Sequence, residues 1–315
     1  MRVLVNDTIA EEAIEMLRSK YEVTAEFHDK DKLLEIIPEY DAIIVRGKTK
    51  VPKEVIEKGE KLKVIGRAGI GVDNIDVAYA TEKKIPVVNA PRSSTISVAE
   101  LAIGHMISLA RHLPQADKTM KAGLWEKKKL MGTELQGKTL GLVGCGRIGS
   151  EVASRAEAFG MKVIAYDPYL PKDVQDKICA DFTTVEEVLS NSDYISIHAL
   201  LTDETRGMIG KEQLDMMKKS AYIINCARGP IIDEAALVEA LEQGKIGGAA
   251  LDVFEKEPPE GSPLLTAPNV VFTPHLGAST VEAQIKAGIT TAEQVDMALS
   301  GQRPNFVVNR EIYDS

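Results

Sequence analysis

The sequence predicts an α/β protein made of two doubly wound units with parallel sheets, one inserted into the other. Three observations carry this. Short apolar runs of strand length alternate with helical patterns along the chain. Mid-chain, the run over 140–143 meets Gly144-Cys145-Gly146-Arg147-Ile148-Gly149, a G-x-G-x-x-G. Apolar residues at helical spacing follow, and a second apolar run delivers Asp167, 18 residues after the last glycine. Finally, a similar alternating stretch precedes this core, and a helix with a strand-like tail follows it.

In the first stretch, 2–6, 41–47, 64–68 and 86–89 read as strands, and 11–20, 30–37, 52–58 and 77–83 as helices. Polar residues stand at the strand ends: Arg46-Gly47-Lys48-Thr49, then 66–74 with Arg67, Gly69, Ile70 and Gly71. In open α/β sheets ligands lie beyond the carboxyl ends of strands. The same pattern is equally that of a surface Arg and a glycine turn. Residues 97–113 read as one helix, limited by Pro114, that crosses between the units, with His105 as a packed core histidine. Residues 123–131 combine the only Trp, Trp125, with Lys127, Lys128 and Lys129, which by themselves read as a solvated face.

In the central stretch, Val152, Ala153, Ala156 and Phe159 mark a helix ended by Gly160, the usual left-handed stop. Gly144 permits the tight turn, Gly146 lets backbone approach a pyrophosphate, and Gly149 lets helix and strand pack closely. The helix N-terminus offers free N–H groups to phosphates. Asp167 is set to take the ribose hydroxyls and to repel the extra phosphate of NADP. Pro168 leaves no Arg beside it to receive that phosphate, so NAD is the expected cofactor. Strands follow at 194–199, 222–227, 249–253 and 270–273, with helices at 184–190, 211–219 and 234–243. Residues 281–299 form a last helix and 305–308 a last strand that returns to the first stretch. The expected division is therefore 1–93 with 281–315, and 94–280.

The 315 residues, 44% hydrophobic and 27% charged, suit two globular domains with ample core. A formal charge of −9 argues against nucleic acid or an anionic membrane as partner. Cys145, Cys179 and Cys226 form no C-x-x-C pair, no metal-ligand spacing appears, and no run is long enough to span a membrane. With a strand starting at Arg2 and no signal peptide, these features fit a cytoplasmic protein.

Three polar residues follow strands of the central stretch: Arg228 after 222–227, Glu257 in 252–258, and His275 after 270–273. A His held by a carboxylate is an acid/base. An Arg forks onto a carboxylate and can polarise a neighbouring carbonyl.

Together, motifs at 66–74, 98–111, 144–167, 225–230, 251–258 and 273–280 resemble the D-isomer-specific 2-hydroxyacid dehydrogenases over essentially the whole chain. The segment 125–132 resembles the branch acting on 3-phosphoglycerate, which moves the lysine cluster towards function. The resemblance implies a Rossmann NAD-binding domain inserted into a flavodoxin-like substrate domain. His275 would be the proton donor in ketone reduction, Glu257 its partner and Arg228 the substrate-orienting residue. Arg147 and Ile148 would contact the pyrophosphate with Gly144, Gly146 and Gly149. Asp167 would hold the ribose. Cys226, Ala227, Arg228, Asp252, His275, Gly277 and Ala278 would line the nicotinamide side, with Ile70 and Ala199 as further contacts. Gly69 and Gly71 would receive the substrate carboxylate, and Arg46, Gly47, Arg67, Asn89 and Lys128 would line the substrate pocket.

One departure is visible: Leu200 stands where members commonly have proline, which bears on the loop after His198. With its end at Ser315, the sequence is expected to lack the C-terminal regulatory domain of longer members. The implied reaction is NAD-dependent oxidation of 3-phosphoglycerate at the entry to serine synthesis, by a homodimer or higher homo-oligomer. Glyoxylate or hydroxypyruvate reduction is the alternative activity, and an NAD-sensing corepressor-like binding protein the alternative class.

Overall fold

Parallel strands buried on both faces need continuous apolar runs rather than alternation. Such runs set the sheets of the computed structural model, which describes residues 1–314; Ser315, the end of the expected outer unit, lies outside the described residues. In chain order the elements are β1 (Arg2–Val5), α1 (Glu11–Arg18), β2 (Glu22–Ala25), α2 (Lys30–Ile36), β3 (Ala42–Val45), α3 (Lys53–Lys58), β4 (Val64–Arg67), α4 (Val77–Glu82) and β5 (Val87–Asn89). Then come α5 (Thr95–Arg111), α6 (Leu113–Lys121), β6 (Thr139–Val143), α7 (Arg147–Ala158), β7 (Lys162–Tyr166), α8 (Lys172–Gln175), β8 (Asp181–Phe182), α9 (Val185–Asn191) and β9 (Tyr194–Ile197). The chain continues with α10 (Lys211–Met216), β10 (Tyr222–Asn225), α11 (Glu234–Glu242), β11 (Gly248–Leu251), β12 (Val270–Phe272) and α12 (Val281–Leu299).

The chain divides into two compact units, Met1–Ser94 with Ala278–Ser315, and Thr95–Gly277. The first has a five-stranded parallel sheet in the order β2-β1-β3-β4-β5. That is the flavodoxin-like order. Its central strand β3, Ala-Ile-Ile-Val, is wholly buried, and separate apolar cores cover the two faces. The second unit has seven parallel strands in the order β12-β11-β10-β9-β6-β7-β8, again with a core on each face. The order reverses between β6 and β9, the switch point at which a Rossmann sheet opens its crevice.

The long helix expected over 97–113 is present as α5, which ends at Arg111, falls in the second unit and packs on α7, β10 and β11. Three points differ from the sequence reading. His112 turns left-handed at φ 52°, and Pro114 opens α6 rather than limiting α5. Proline has no N–H to lose in a first turn. Residues 305–308 are not a strand but one antiparallel bridge, Val88 to Val307. Two N–H groups that could have laddered, those of Asn305 and Phe306, are taken by Gln294 Oε1 at 2.7 and 2.9 Å. β2 and β8 were not expected from sequence. Both are polar edge strands, without the apolar run that betrays a buried one.

The tail is held to β5 by Asn309, which is 1% exposed. Its Oδ1 accepts the Val87 N–H at 2.8 Å and its Nδ2 donates to the Ile85 carbonyl at 2.9 Å. Asn309→Leu strands both backbone groups in a buried site. It is expected to lower the unfolding free energy by about 1–3 kcal/mol, the cost of unmade buried hydrogen bonds. The measurement is the midpoint of urea unfolding, and an unchanged midpoint would refute the tie.

Candidate active site

Because β6, β9, β10, β11 and β12 are parallel, the segments after them lie on one rim of the second unit. These segments are 144–149, 198–200, 226–229, 252–258 and 273–277, and they hold most of the expected site residues.

The glycine loop has the geometry of an anion cradle. Gly144 is left-handed at φ 86°, and a Cβ there would lie 2.6 Å from Ala199 N. A Cβ on Gly149 would lie 2.5 Å from the Gly144 carbonyl. Gly146 is different: a Cβ there would meet nothing within 4 Å, so its backbone faces open space. It caps α7, with Arg147 exposed and Ile148 half-buried in the first turn. Among the described residues the amides of Gly146, Arg147 and Ile148 have no acceptor. Asp167, after β7, accepts the Cys145 N–H at 2.9 Å and the Tyr169 N–H at 3.2 Å. Tyr169 in turn donates its hydroxyl proton to Glu204. Burial pushes the Cys145 thiol up to about 12, so this cysteine is a small packed group. His198 bonds Ser196 at 2.9 Å, and burial holds it down to about 4, hence neutral. Leu200, the departure noted above, is exposed, and its carbonyl accepts the Thr205 hydroxyl at 2.6 Å.

The three chemistry-bearing residues come from loops pressed together. A Cβ on Gly229 would lie 1.9 Å from the Phe254 carbonyl carbon, so only glycine lets the segment carrying Arg228 close on 252–258. Asn225 shapes that segment, accepting the Ala227 N–H at 3.0 Å and donating to the Arg228 carbonyl at 2.9 Å. Arg228 is half-buried, and Cys226 and Ala227 precede it. Glu257 Oε1 accepts the Phe254 N–H at 3.1 Å, and Oε2 lies 2.7 Å from His275 Nδ1. The hydrogen bond to Glu257 raises the His275 pKa, burial opposes it, and the charges of Glu257 and Asp252 add to the rise. Burial pushes Glu257 up, but its bond to His275, the Phe254 N–H and nearby Arg228 outweigh that and leave it lowered.

His275 is itself left-handed at φ 54°. Asp252, 1% exposed, grips the turn that imposes this. Its carbonyl accepts the His275 N–H at 2.9 Å, Oδ1 the Leu276 N–H at 2.7 Å and Oδ2 the Gly277 N–H at 2.9 Å.

In the first unit, Arg46, Arg67, Gly69, Ile70, Gly71 and Asn89 stand at or beyond the carboxyl ends of β3, β4 and β5. Asp7, 7% exposed, clamps the turn after β3 by accepting the N–H groups of Arg46 at 2.6 Å and Thr49 at 3.1 Å. It also takes the Thr49 hydroxyl at 2.6 Å, and Asn74 closes the turn from the other side. Sequence reasoning missed Asp7, for which a lone acid just past a buried strand was the signal, and gave Asn74, within the 66–74 stretch, no role of its own. The Arg46 guanidinium has no ion-pair partner among the described residues; burial lowers its pKa and Asp7 partly restores it. Gly47 has open space at its Cα, and Lys48 stacks over Phe27 at 3.3 Å. Gly69, at φ 148°, gives its carbonyl to Ala90 N, and Asn89 holds the Ile70 carbonyl at 2.6 Å. The Ile70 and Gly71 amides are left without acceptors among the described residues. Ala278 opens the second segment of this unit. Lys127 and Lys128 are exposed without ion pairs among the described residues, whereas Lys129 pairs with Glu126 at 2.6 Å. Among the described residues no group of His, Cys, Asp and Glu could hold a metal, and no helix is long and apolar enough to cross a membrane.

Residues 103–277 match the family model described as D-isomer specific 2-hydroxyacid dehydrogenase, NAD binding domain. The chain belongs to this family. It is 54% identical over 98% of its length to the D-3-phosphoglycerate dehydrogenase of Methanocaldococcus jannaschii, of which it spans 59%. It is 50% identical over 93% of its length to the hydroxypyruvate reductase of Thermotoga maritima, of which it covers 97%. A crystal structure of a Thermus thermophilus protein superposes with a TM-score of 0.90 at 36% identity, covering 98% of this chain and 100% of that one. The cofactor of this domain is NAD, and the open Gly146, the free amides of the α7 first turn and the Asp167 carboxylate suit it.

Asp167 carries one prediction about this family member. A carboxylate opposite a 2′-phosphate repels it, so NAD is expected to be strongly preferred over NADP. Asp167→Ala narrows or reverses the preference, and it weakens NAD binding too, because the Cys145 amide loses its acceptor. Fluorescence titration with both reduced cofactors measures this, and equal affinities in the wild type would overturn it.

Proposed function

We propose that this chain oxidises the 2-hydroxyl of 3-phosphoglycerate to the ketone of 3-phosphohydroxypyruvate, using NAD. The observation that carries the chemistry is the 2.7 Å bond between His275 Nδ1 and Glu257 Oε2 on the rim that also bears the glycine loop. With Nδ1 committed to Glu257, Nε2 is the nitrogen left to take the hydroxyl proton in oxidation or return it in reduction. NAD, held by the 144–149 loop and Asp167, would supply the acceptor for the C2 hydride. Arg228 orients the substrate with its guanidinium, and the unengaged amides of Ile70 and Gly71 receive the substrate carboxylate. Relatives named D-3-phosphoglycerate dehydrogenase support the phosphorylated substrate. The chain spans about three fifths of their length. A reading as hydroxypyruvate reductase is favoured by the Thermotoga maritima relative, covered almost end to end.

The active form is a homodimer. Leu124, Trp125 and Met131 leave apolar surface in the 123–131 segment, with Trp125 80% exposed. A patch of this kind points to a protein partner. Lys127 or Lys128 of this segment then reaches the phosphate in the partner's site. Positive charge is needed there, because the whole chain carries −9.

Two experiments test these assignments. His275→Ala should lose about 10²–10⁴-fold in kcat with little change in NAD affinity. Oxidation needs neutral His275, so kcat/KM rises with pH through the raised pKa; reduction needs the protonated form and falls over the same range. Glu257→Gln removes the anionic partner and moves both limbs to lower pH. An unchanged profile would sink the pairing.

The second is a substrate panel in which 3-phosphohydroxypyruvate should exceed hydroxypyruvate, glyoxylate and pyruvate in kcat/KM. Removing the charges of Lys127, Lys128 and Lys129 should cost about 1.5–3 kcal/mol per lost contact, for phosphorylated substrates only. In mixed dimers of a lysine-less subunit with a His275→Ala subunit, a near-normal KM reports a contact across the interface. Equal use of hydroxypyruvate and its phosphate by the wild type would hand the assignment to the reductase reading.

A further inference from the structure

Behind the turn that presents His275 lies a polar chain of His105, Thr273 and Asp252. His105, in the middle of α5, is 2% exposed among apolar residues of the sheet core. Its Nε2 lies 3.1 Å from Thr273 Oγ1. Thr273 Oγ1 in turn donates to Asp252 Oδ1 at 2.5 Å. Asp252 is the buried carboxylate that holds the amides of Leu276 and Gly277, and no Lys or Arg pairs with it among the described residues. Such an anion depends on its hydrogen-bond donors. The Thr273 hydroxyl owns one proton, and it goes to Asp252. Towards His105 it presents only lone pairs, so the imidazole must be the donor and carries its proton on Nε2. Burial lowers the His105 pKa, with the Asp252 charge partly opposing, which favours the neutral ring.

We propose that His105 is a positioning residue: its Nε2–H commits the Thr273 hydroxyl to Asp252 and thereby fixes the turn that aims His275. It rests on the reading of His275 as the proton-transfer group. Chains of hydrogen bonds in a low-dielectric core strengthen one another. An apolar residue in place of His105 leaves Thr273 Oγ1 without its donor and weakens the grip of Asp252 on residues 276 and 277. The effect falls on the aim of His275 and so on the proton transfer, while the glycine loop and Asp167, held by bonds of their own, keep the cofactor affinity.

The test compares His105→Leu, His105→Gln and Thr273→Val, alone and combined. His105→Leu fills the volume without a donor and should lower kcat about tenfold, the worth of one lost hydrogen bond. Substrate KM and NAD affinity should stay unchanged. His105→Gln supplies an N–H at similar reach and should restore most of kcat. Because the action runs through Thr273, His105→Leu should cost nothing further in the Thr273→Val background. Additive losses, a Gln variant no better than Leu, or a loss confined to KM would overturn the proposal. A cofactor-free readout keeps it falsifiable where the Leu variant fails to fold. Imidazole ¹⁵N spectra of the wild type should show a neutral His105 protonated on Nε2, with a resonance moved by Thr273→Val. An Nδ1–H ring would refute it. Wild-type kcat in His275→Ala would instead refute the catalytic reading and leave the spectra to decide the His105 chain alone.

Discussion

Every strand in each sheet runs the same way as its neighbours, so the amides just beyond the carboxyl ends lose their ladder partners together, on one rim. Buried N–H groups need acceptors. In both units carboxylates from the same rim supply them: Asp7 for Arg46 and Thr49, Asp167 for Cys145 and Tyr169, Asp252 for Leu276 and Gly277. Each of these acids stands at most three residues past the end of a strand, so each clamp is anchored in a sheet. The loops that bear the chemistry are thereby rigid without being long.

The clamps also account for which amides remain open. Around the glycine loop, Asp167 takes Cys145 N, and the three following amides are left for a ligand. Near β4, the carbonyls of Gly69 and Ile70 are engaged, while the amides of Ile70 and Gly71 are not. A turn held by its acceptors through one end and open at its donors at the other is pre-organised for an anion. Gly69 and Gly144 adopt positive φ without a Cβ to clash, whereas positive φ at His275 is local strain, tolerated because surrounding bonds over-determine it.

Much of this was legible in the chain itself. Apolar runs such as Ala42–Val45 and Leu140–Val143 are unambiguous because a strand buried on both faces has no alternation to blur it. β2 and β8 were not legible, since an edge strand borrows its stability from a neighbour rather than from its own side chains. The G-x-G-x-x-G could be interpreted glycine by glycine: the structure gives Gly144 and Gly149 steric reasons of their own and leaves Gly146 facing open space. His105 was the opposite case. A histidine at a core position of an apolar helix reads as packing, because the hydroxyl that it meets is 168 residues away in sequence.

Sequence alone therefore determined the class of fold, the nucleotide-binding stretch and the identity of the residues able to carry charge and protons. These depend on local rules: periodicity, turn chemistry and the spacing of a glycine loop from an acid. Only the tertiary structure decided which polar groups meet. That Glu257 takes His275 Nδ1, that Gly229 lets the Arg228 segment close on Phe254, and that Thr273, the hydroxyl donor to Asp252, is reached by a helix far earlier in the chain all follow from parallel strand order. The order brings distant segments to one rim, and hydrogen-bond demand in a buried setting then selects the partners.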